Sequence, residues 1–343
     1  MLRDFVDRLN KTEDKIMWLV APCGVLIGLI LGNRIQNLAF LGSYMFMIMT
    51  FTGAISMEAR EFLNVMKHPK ALVVYFFVVK LFIPFFCTMI TRLILPGMEE
   101  TIFGFILIFT GPIAVTSFIW SGIHKGDGSL ALTLIMLDTI ITPLSMPLYT
   151  KLLLGTSIAI DSGKMMLSLL QLVVIPMILG IGANRISRNK LKNIYSPYFK
   201  PVGKLAMVLS LIFSCCKIGD EVAMLKASDW PMAATAILSV AVSALVGYSA
   251  ARLIKLDRSQ VVTLTFTSGL RNNTASLLIA TTLFSAKAAL PVVILILFQQ
   301  TIMSWLGAML FEWGKKTGIS DSAGNSRTKR DGCVSTNVQS TGS

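Results

Sequence analysis

Residues 261–284 read VVTLTFTSGLRNNTASLLIATTLF. The stretch is long enough to cross a bilayer core, which takes about 20 residues of helix. Its centre nevertheless holds Thr267, Ser268, Gly269, Arg271, Asn272, Asn273 and Thr274 between two apolar halves. A polar cluster at that depth is costly in lipid unless it faces protein or a cavity. The stretch therefore reads as a membrane helix interrupted near its midpoint, at Gly269. A second segment, TIFGFILIFTGPIAVTSFIWSG over 101–122, carries a similar signature. Pro112 removes a backbone donor and clashes with the preceding turn, so Gly111-Pro112 predicts a kink or unwinding, with Thr116 and Ser117 just beyond. One such segment is most simply a kink satisfied by its neighbours. Two in matching positions point to a site, where half-helix N-termini turn free N–H groups toward an anion and open carbonyls toward a cation.

The rest of the chain supports a membrane reading. It has 343 residues, 54% of them hydrophobic and 14% charged, with a mean hydropathy of +0.70. That is more apolar surface than a soluble domain of this length buries in one core. Apolar runs fall at 16–33, 36–57, 70–95, 101–123, 128–150, 164–184, 201–217, 231–254, 259–285 and 288–313. The net charge of +13 reports topology rather than nucleic acid, because the basic residues lie between apolar runs with no basic aromatic face. With ten runs, one set of alternate loops plus both termini holds 21 Lys and Arg, and the other set holds 7. Cytoplasmic loops carry the excess, so both termini are expected in the cytoplasm of a cell-membrane protein. The N-terminal 1–15 has no short apolar region with a small-residue cleavage site, and no removable signal peptide is expected. Residues 314–343 are polar and small, which predicts a disordered cytoplasmic tail. Of five cysteines, Cys23, Cys87, Cys215 and Cys216 lie in apolar segments and Cys333 in the tail, without metal-ligand spacing.

The two halves also correspond. Pro69 and Pro231 precede runs 3 and 8, 162 positions apart, and Gly111 and Gly269 are 158 apart. Five helices separate the halves, an odd number, so a repeat would be inverted.

Several stretches together resemble the bile acid:sodium symporter family: KHPKALVV (67–74), the Gly-Pro break leading to HKGDGSLALTL (124–134), VVIPMILGIGANR (173–185), and GYSAARLIKL (247–256) leading into TSGLRNN (267–273). The resemblance covers 16–313. It implies an all-α polytopic protein of ten transmembrane helices in two inverted five-helix repeats, with broken, crossed helices 4 and 9. It further implies a panel of helices 1, 2, 6 and 7 and a core of helices 3–5 and 8–10. It implies secondary active transport of an organic anion, a carboxylate or a bile-acid-like molecule, by alternating access.

The sodium positions of that family are altered here. Where sodium-coupled members carry Glu-x-Gly-x-Gln-Asn, this chain has Thr267, Ser268, Gly269, Leu270, Arg271 and Asn272. A Ser-Asn pair matches Ser117-Phe118, and two hydroxyl ligands match Ala131 and Ile135. Ser117 and Thr267 are the remaining oxygens for sodium, no other metal site is expected, and an Arg cation repels sodium at low effective dielectric. Sodium coupling is therefore disfavoured, and H+ or Na+ stays open as the coupling ion.

A different charge set takes its place. Asp138 follows Asp127 by eleven residues, about 16 Å along a helix, and shares a face with 131 and 135. Lys80 lies four residues before Pro84. Arg271, with Lys80, is expected to supply permanently the positive charge that sodium would bring, while Asp138 balances it or takes up a proton. A structural Asp138–Arg271 ion pair is the alternative. Thr116, Ser117, Arg271, Asn272, Asn273 and Thr274 are the expected substrate contacts. His124 reads as a solvated loop histidine and His68 as interfacial.

No cofactor is expected, and the partners are a small organic anion and the bilayer, not nucleic acid. Neither histidine lies in a run and Asp138 has no second membrane carboxylate, so an embedded hydrolase is not expected. An arsenite-efflux carrier would call for a cysteine within 110–122, which has none. A non-transporting sensor on the same fold is the alternative function.

Overall fold

In a computed structural model, residues 21–55, 69–154, 161–226 and 229–311 are described. The segments 1–15 and 314–343, the first residues of run 1, His68 and Cys333 lie outside them. The described residues are helical and contain no strand. Two short apolar helices come first, α1 (Ala21–Leu31) and α2 (Leu41–Ile55). Among the described residues six helices are long and apolar enough to cross a membrane: α3 (Pro69–Ile94), α6 (Gly128–Leu154), α7 (Ser162–Ile186), α8 (Tyr198–Ala223), α9 (Trp230–Leu253) and α12 (Ala286–Phe311). Between them lie two interrupted pairs, α4 (Glu99–Thr110) with α5 (Thr116–Ile123), and α10 (Arg258–Gly269) with α11 (Asn273–Leu283).

The exposed side chains agree with a lipid surround. On α6, Leu144, Leu148 and Leu152 are each more than 60% exposed, and their i, i+4, i+8 spacing puts them on one stripe. Such a stripe is unfavourable in water and satisfied among acyl chains. This is a multi-pass membrane protein. α2 packs on α7 and α8, while α9 packs on α10 and α12, and α4 on α6 and α12.

Among the described residues three stretches widen into π turns just before a proline, at Tyr75–Phe82 in α3, Leu170–Val174 in α7 and Leu191–Tyr195 ahead of α8. Pro84 has no N–H to donate to the turn before it. The helix there loosens, and the Ile83 N–H reaches back five residues to Val78 O. Val79 O is thereby left without the donor that an α-helix would give it.

Close approach of α4 to α12 depends on Gly104. A Cβ at that position would fall against the Ala288 backbone oxygen and 2.7 Å from Pro291 Cγ. Backbone cannot swing aside as a side-chain tip can, so Gly104→Val should cost about 1–3 kcal/mol through overpacking. The expected readout is a lower thermal melting midpoint in detergent; unchanged melting would show that the two helices part freely.

Candidate functional site: a crossing of two interrupted helices

α4 ends because Gly111 precedes a proline, which pushes it to extended backbone, φ −59° and ψ 160°. α10 ends at Gly269, and Leu270 is extended as well, φ −101° and ψ 107°. The two extended segments meet as an antiparallel bridge between Ile113 and Arg271. Ala114 N donates to Leu270 O at 3.0 Å, and Asn272 N to Pro112 O at 2.8 Å. Each break thus satisfies backbone groups freed by the other. The chain then re-enters helix as α5 and α11, with Asn272 capping α11 by accepting from Ala275 N at 3.3 Å.

Asp138 on α6 reaches this crossing and is fully buried. Its Oδ2 accepts from Ile113 N at 2.6 Å and its Oδ1 from the Tyr75 hydroxyl at 2.7 Å. Lys80 Nζ lies 2.6 Å from Oδ1 and also donates to Thr142 Oγ1 at 3.1 Å. The direct ionic partner of Asp138 is therefore Lys80, in place of the Asp138–Arg271 pair the sequence allowed. Geometry explains the exchange, since Lys80 and Tyr75 lie on the same π-wound stretch of α3.

Arg271 has other partners. Its NH1 donates to Gly111 O at 3.4 Å and its NH2 to Val79 O at 3.2 Å. The first carbonyl belongs to the break after α4, and the second is the one orphaned by Pro84. Arg271 is 3% exposed, and its Nε has no hydrogen-bond partner.

Gln299, which sequence reasoning passed over, holds the second break in shape. Its Oε1 accepts from Arg271 N at 3.4 Å and from Asn273 Nδ2 at 2.8 Å, and its Nε2 donates to Arg271 O at 3.1 Å. The neighbouring Gln300 serves the first interrupted pair, accepting from Trp120 Nε1 at 2.7 Å and donating to Thr116 Oγ1 at 3.2 Å. Two adjacent amides inside the apolar run ILILFQQTIM were the signal available in the sequence. Tyr75 was likewise passed over, and an isolated tyrosine in an apolar run carries less of a signal.

The remaining expected residues are distributed unevenly. Ser117 and Asn273 are buried, and Ser117 Oγ and Asn273 Oδ1 have no hydrogen-bond partner. Thr274 lies on the first turn of α11 and is 9% exposed. Thr267 Oγ1 donates back to Thr263 O at 2.9 Å within its own helix. His124 is not a solvated loop residue. It is buried and stacks on Phe266 with centroids 5.2 Å apart, beside Phe311. Gly307 makes room for it, because a Cβ there would lie 2.6 Å from His124 Nε2. The turn that carries it folds inward onto α10 and α12, which the short spacing to Lys125-Gly126-Asp127 did not reveal. Among the described residues no group of three His, Cys, Asp or Glu is placed to hold a metal.

Comparison with known proteins bears on this arrangement. The profile of the Sodium Bile acid symporter family matches residues 43–225. The chain belongs to that family. A protein of Bacillus subtilis (strain 168), YbaS, which is uncharacterized, is 33% identical over 298 residues, 86% of this chain and 96% of YbaS. A probable sodium/metabolite cotransporter of Oryza sativa subsp. japonica, BASS3, chloroplastic, is 29% identical over 62% of this chain, which spans about half (51%) of its length. The uncharacterized sodium-dependent transporter YocS of Bacillus subtilis (strain 168) is 24% identical over 63% of this chain and 65% of its own. Membership of the sodium bile acid symporter family makes this a membrane transporter by family and accounts for its apolar helices. The matched stretch includes the first break and Asp138 and stops short of the second.

Proposed function

We propose that the chain is a secondary active carrier of a small organic anion, a carboxylate or bile-acid-like molecule, working by alternating access in the cell membrane. The observation that carries this reading is the antiparallel crossing at Ile113 and Arg271, which brings the N-termini of α5 and α11 to one place. Helix N-termini favour negative charge. Among the described residues the charged side chains of the crossing are Lys80, Asp138 and Arg271, whose formal charges sum to one positive charge beyond neutrality. A single carboxylate matches it.

On this reading the six long helices, α1 and α2, and the two interrupted pairs make ten spans in two inverted repeats. Helices 1, 2, 6 and 7 form a panel and the rest a core that carries the crossing. The excess of basic residues in alternate loops and the termini supports a cytoplasmic position for both termini. Sodium does not fit the crossing well. Thr267 and Ser117 offer one neutral oxygen each, and the carbonyls that face the crossing from Val79 and Gly111 already bind a guanidinium.

Uptake of labelled carboxylates and bile acids into proteoliposomes containing the full chain is the test. Saturable uptake of at least one such anion is expected. Binding of an anion without uptake would replace the carrier with a sensor.

A further inference from the structure

We propose that the Arg271 guanidinium is a built-in cation of the crossing, bound by Gly111 O and Val79 O, and that it makes anion uptake independent of sodium. The proposal rests on the carrier reading above and adds how the charge of the substrate is met. Two backbone carbonyls from different helices converge on one point, and neither has its ordinary helical donor. Gly111 O is freed where α4 stops, and Val79 O is freed by the π turn that Pro84 imposes on α3. Converging carbonyls of this kind are what a monovalent cation binds when helices are broken at membrane depth. Here NH1 and NH2 take one carbonyl each.

A planar fork with fixed donors suits two such acceptors, whereas an ammonium is a point charge. Lys80 does not fill the role, because its charge is offset by Asp138 at 2.6 Å. Arg271 has no carboxylate within salt-bridge distance among the described residues, and Asp138, which also acts on it electrostatically, is already in contact with Lys80, so one positive charge of the cluster is left to meet an anion. Its Nε, buried and without a partner, supplies a donor that the two carbonyls leave unused. Asn273 Oδ1 and Ser117 Oγ are also buried without partners, as groups that await a ligand or a water do. A tethered cation changes the energetics of transport. The positive charge travels with the protein, and no ion gradient contributes work through this position.

Arg271→Ala leaves a guanidinium-shaped vacancy between the two carbonyls, and free guanidinium ion is the probe for it. Arg271→Gln runs in parallel, since it keeps an amide donor for one carbonyl and asks less of the fold. Melting of the full-length variants in detergent is measured with millimolar guanidinium chloride, with sodium chloride at matched ionic strength as control. Guanidinium should raise the melting midpoint of Arg271→Ala and leave the wild type unmoved. In proteoliposomes, wild-type uptake should be the same in sodium and in choline. Arg271→Ala should take up anion at least about tenfold more slowly, as loss of charge-assisted hydrogen bonds implies, and guanidinium should restore part of it. Guanidinium-specific stabilisation without uptake of any anion would remove the carrier reading and leave the cation site standing. Wild-type uptake that rises with sodium, or melting of both variants indifferent to guanidinium, would overturn the proposal.

Discussion

Asp138→Asn is expected to lower stability by about 3–5 kcal/mol, the cost of leaving one member of a buried ion pair uncompensated. The asparagine is isosteric and can still accept from Ile113 N, so the shape of the crossing is spared. What disappears is the charge that faces Lys80 at 2.6 Å, in a place where Asp138 is 0% and Lys80 4% exposed. Water cannot reach the stranded ammonium. Adding Lys80→Met should recover much of the loss, because it removes the stranded charge that makes a broken buried pair so costly. Melting of the two single variants and the double variant forms a cycle whose coupling should be large. Additive single effects would mean that the pair is not formed.

Gln299→Leu is the second large effect. Leucine keeps the volume of the side chain and suits an apolar helix, so any loss comes from hydrogen bonds. Arg271 N and Asn273 Nδ2 would each lose their acceptor, at about 1–3 kcal/mol for each group left buried and unpaired. The second break would then lose the clamp that keeps Arg271 extended beside Ile113. Anion uptake should fall by at least about tenfold, along with melting. Gln300→Leu is the control. Its partners Trp120 and Thr116 are only half-buried and neither belongs to the second break, so the effect should be smaller. Equal effects of the two substitutions would show that Gln299 has no special hold on the crossing.

The outline of this site was legible in the chain. Gly111-Pro112 and the polar run from Thr267 to Thr274 mark both interruptions, and Asp138, Lys80 and Arg271 stand out as charges inside apolar runs. Partnership was not legible. Periodicity put Asp138 on a face of its helix, but the π turn in α3 set which cation met that face. The same turn exposed Val79 O, an acceptor with no side-chain signal. Gln299 and Gln300 differ by one position in sequence and serve different interrupted helices, a difference created by the roughly 100° between adjacent residues of a helix. His124 departs from its expected solvated place for a related reason. A short polar turn after a run suggests solvent, and only the packing of Phe266, Phe311 and Gly307 against it shows otherwise.

Membrane embedding, a count of apolar runs and the positions of the two breaks were settled by the amino-acid sequence, because lipid forbids unsatisfied backbone and long charged stretches wherever a span occurs. Proline alone did not decide where a helix breaks. Pro143 and Pro147 sit inside the continuous α6, and Pro291 inside α12. Pro112 interrupts its helix because the groups released around it find Leu270, Asn272 and Asp138 waiting across the crossing. That choice belongs to the tertiary structure. A freed backbone group is tolerated at membrane depth only where another element supplies its partner.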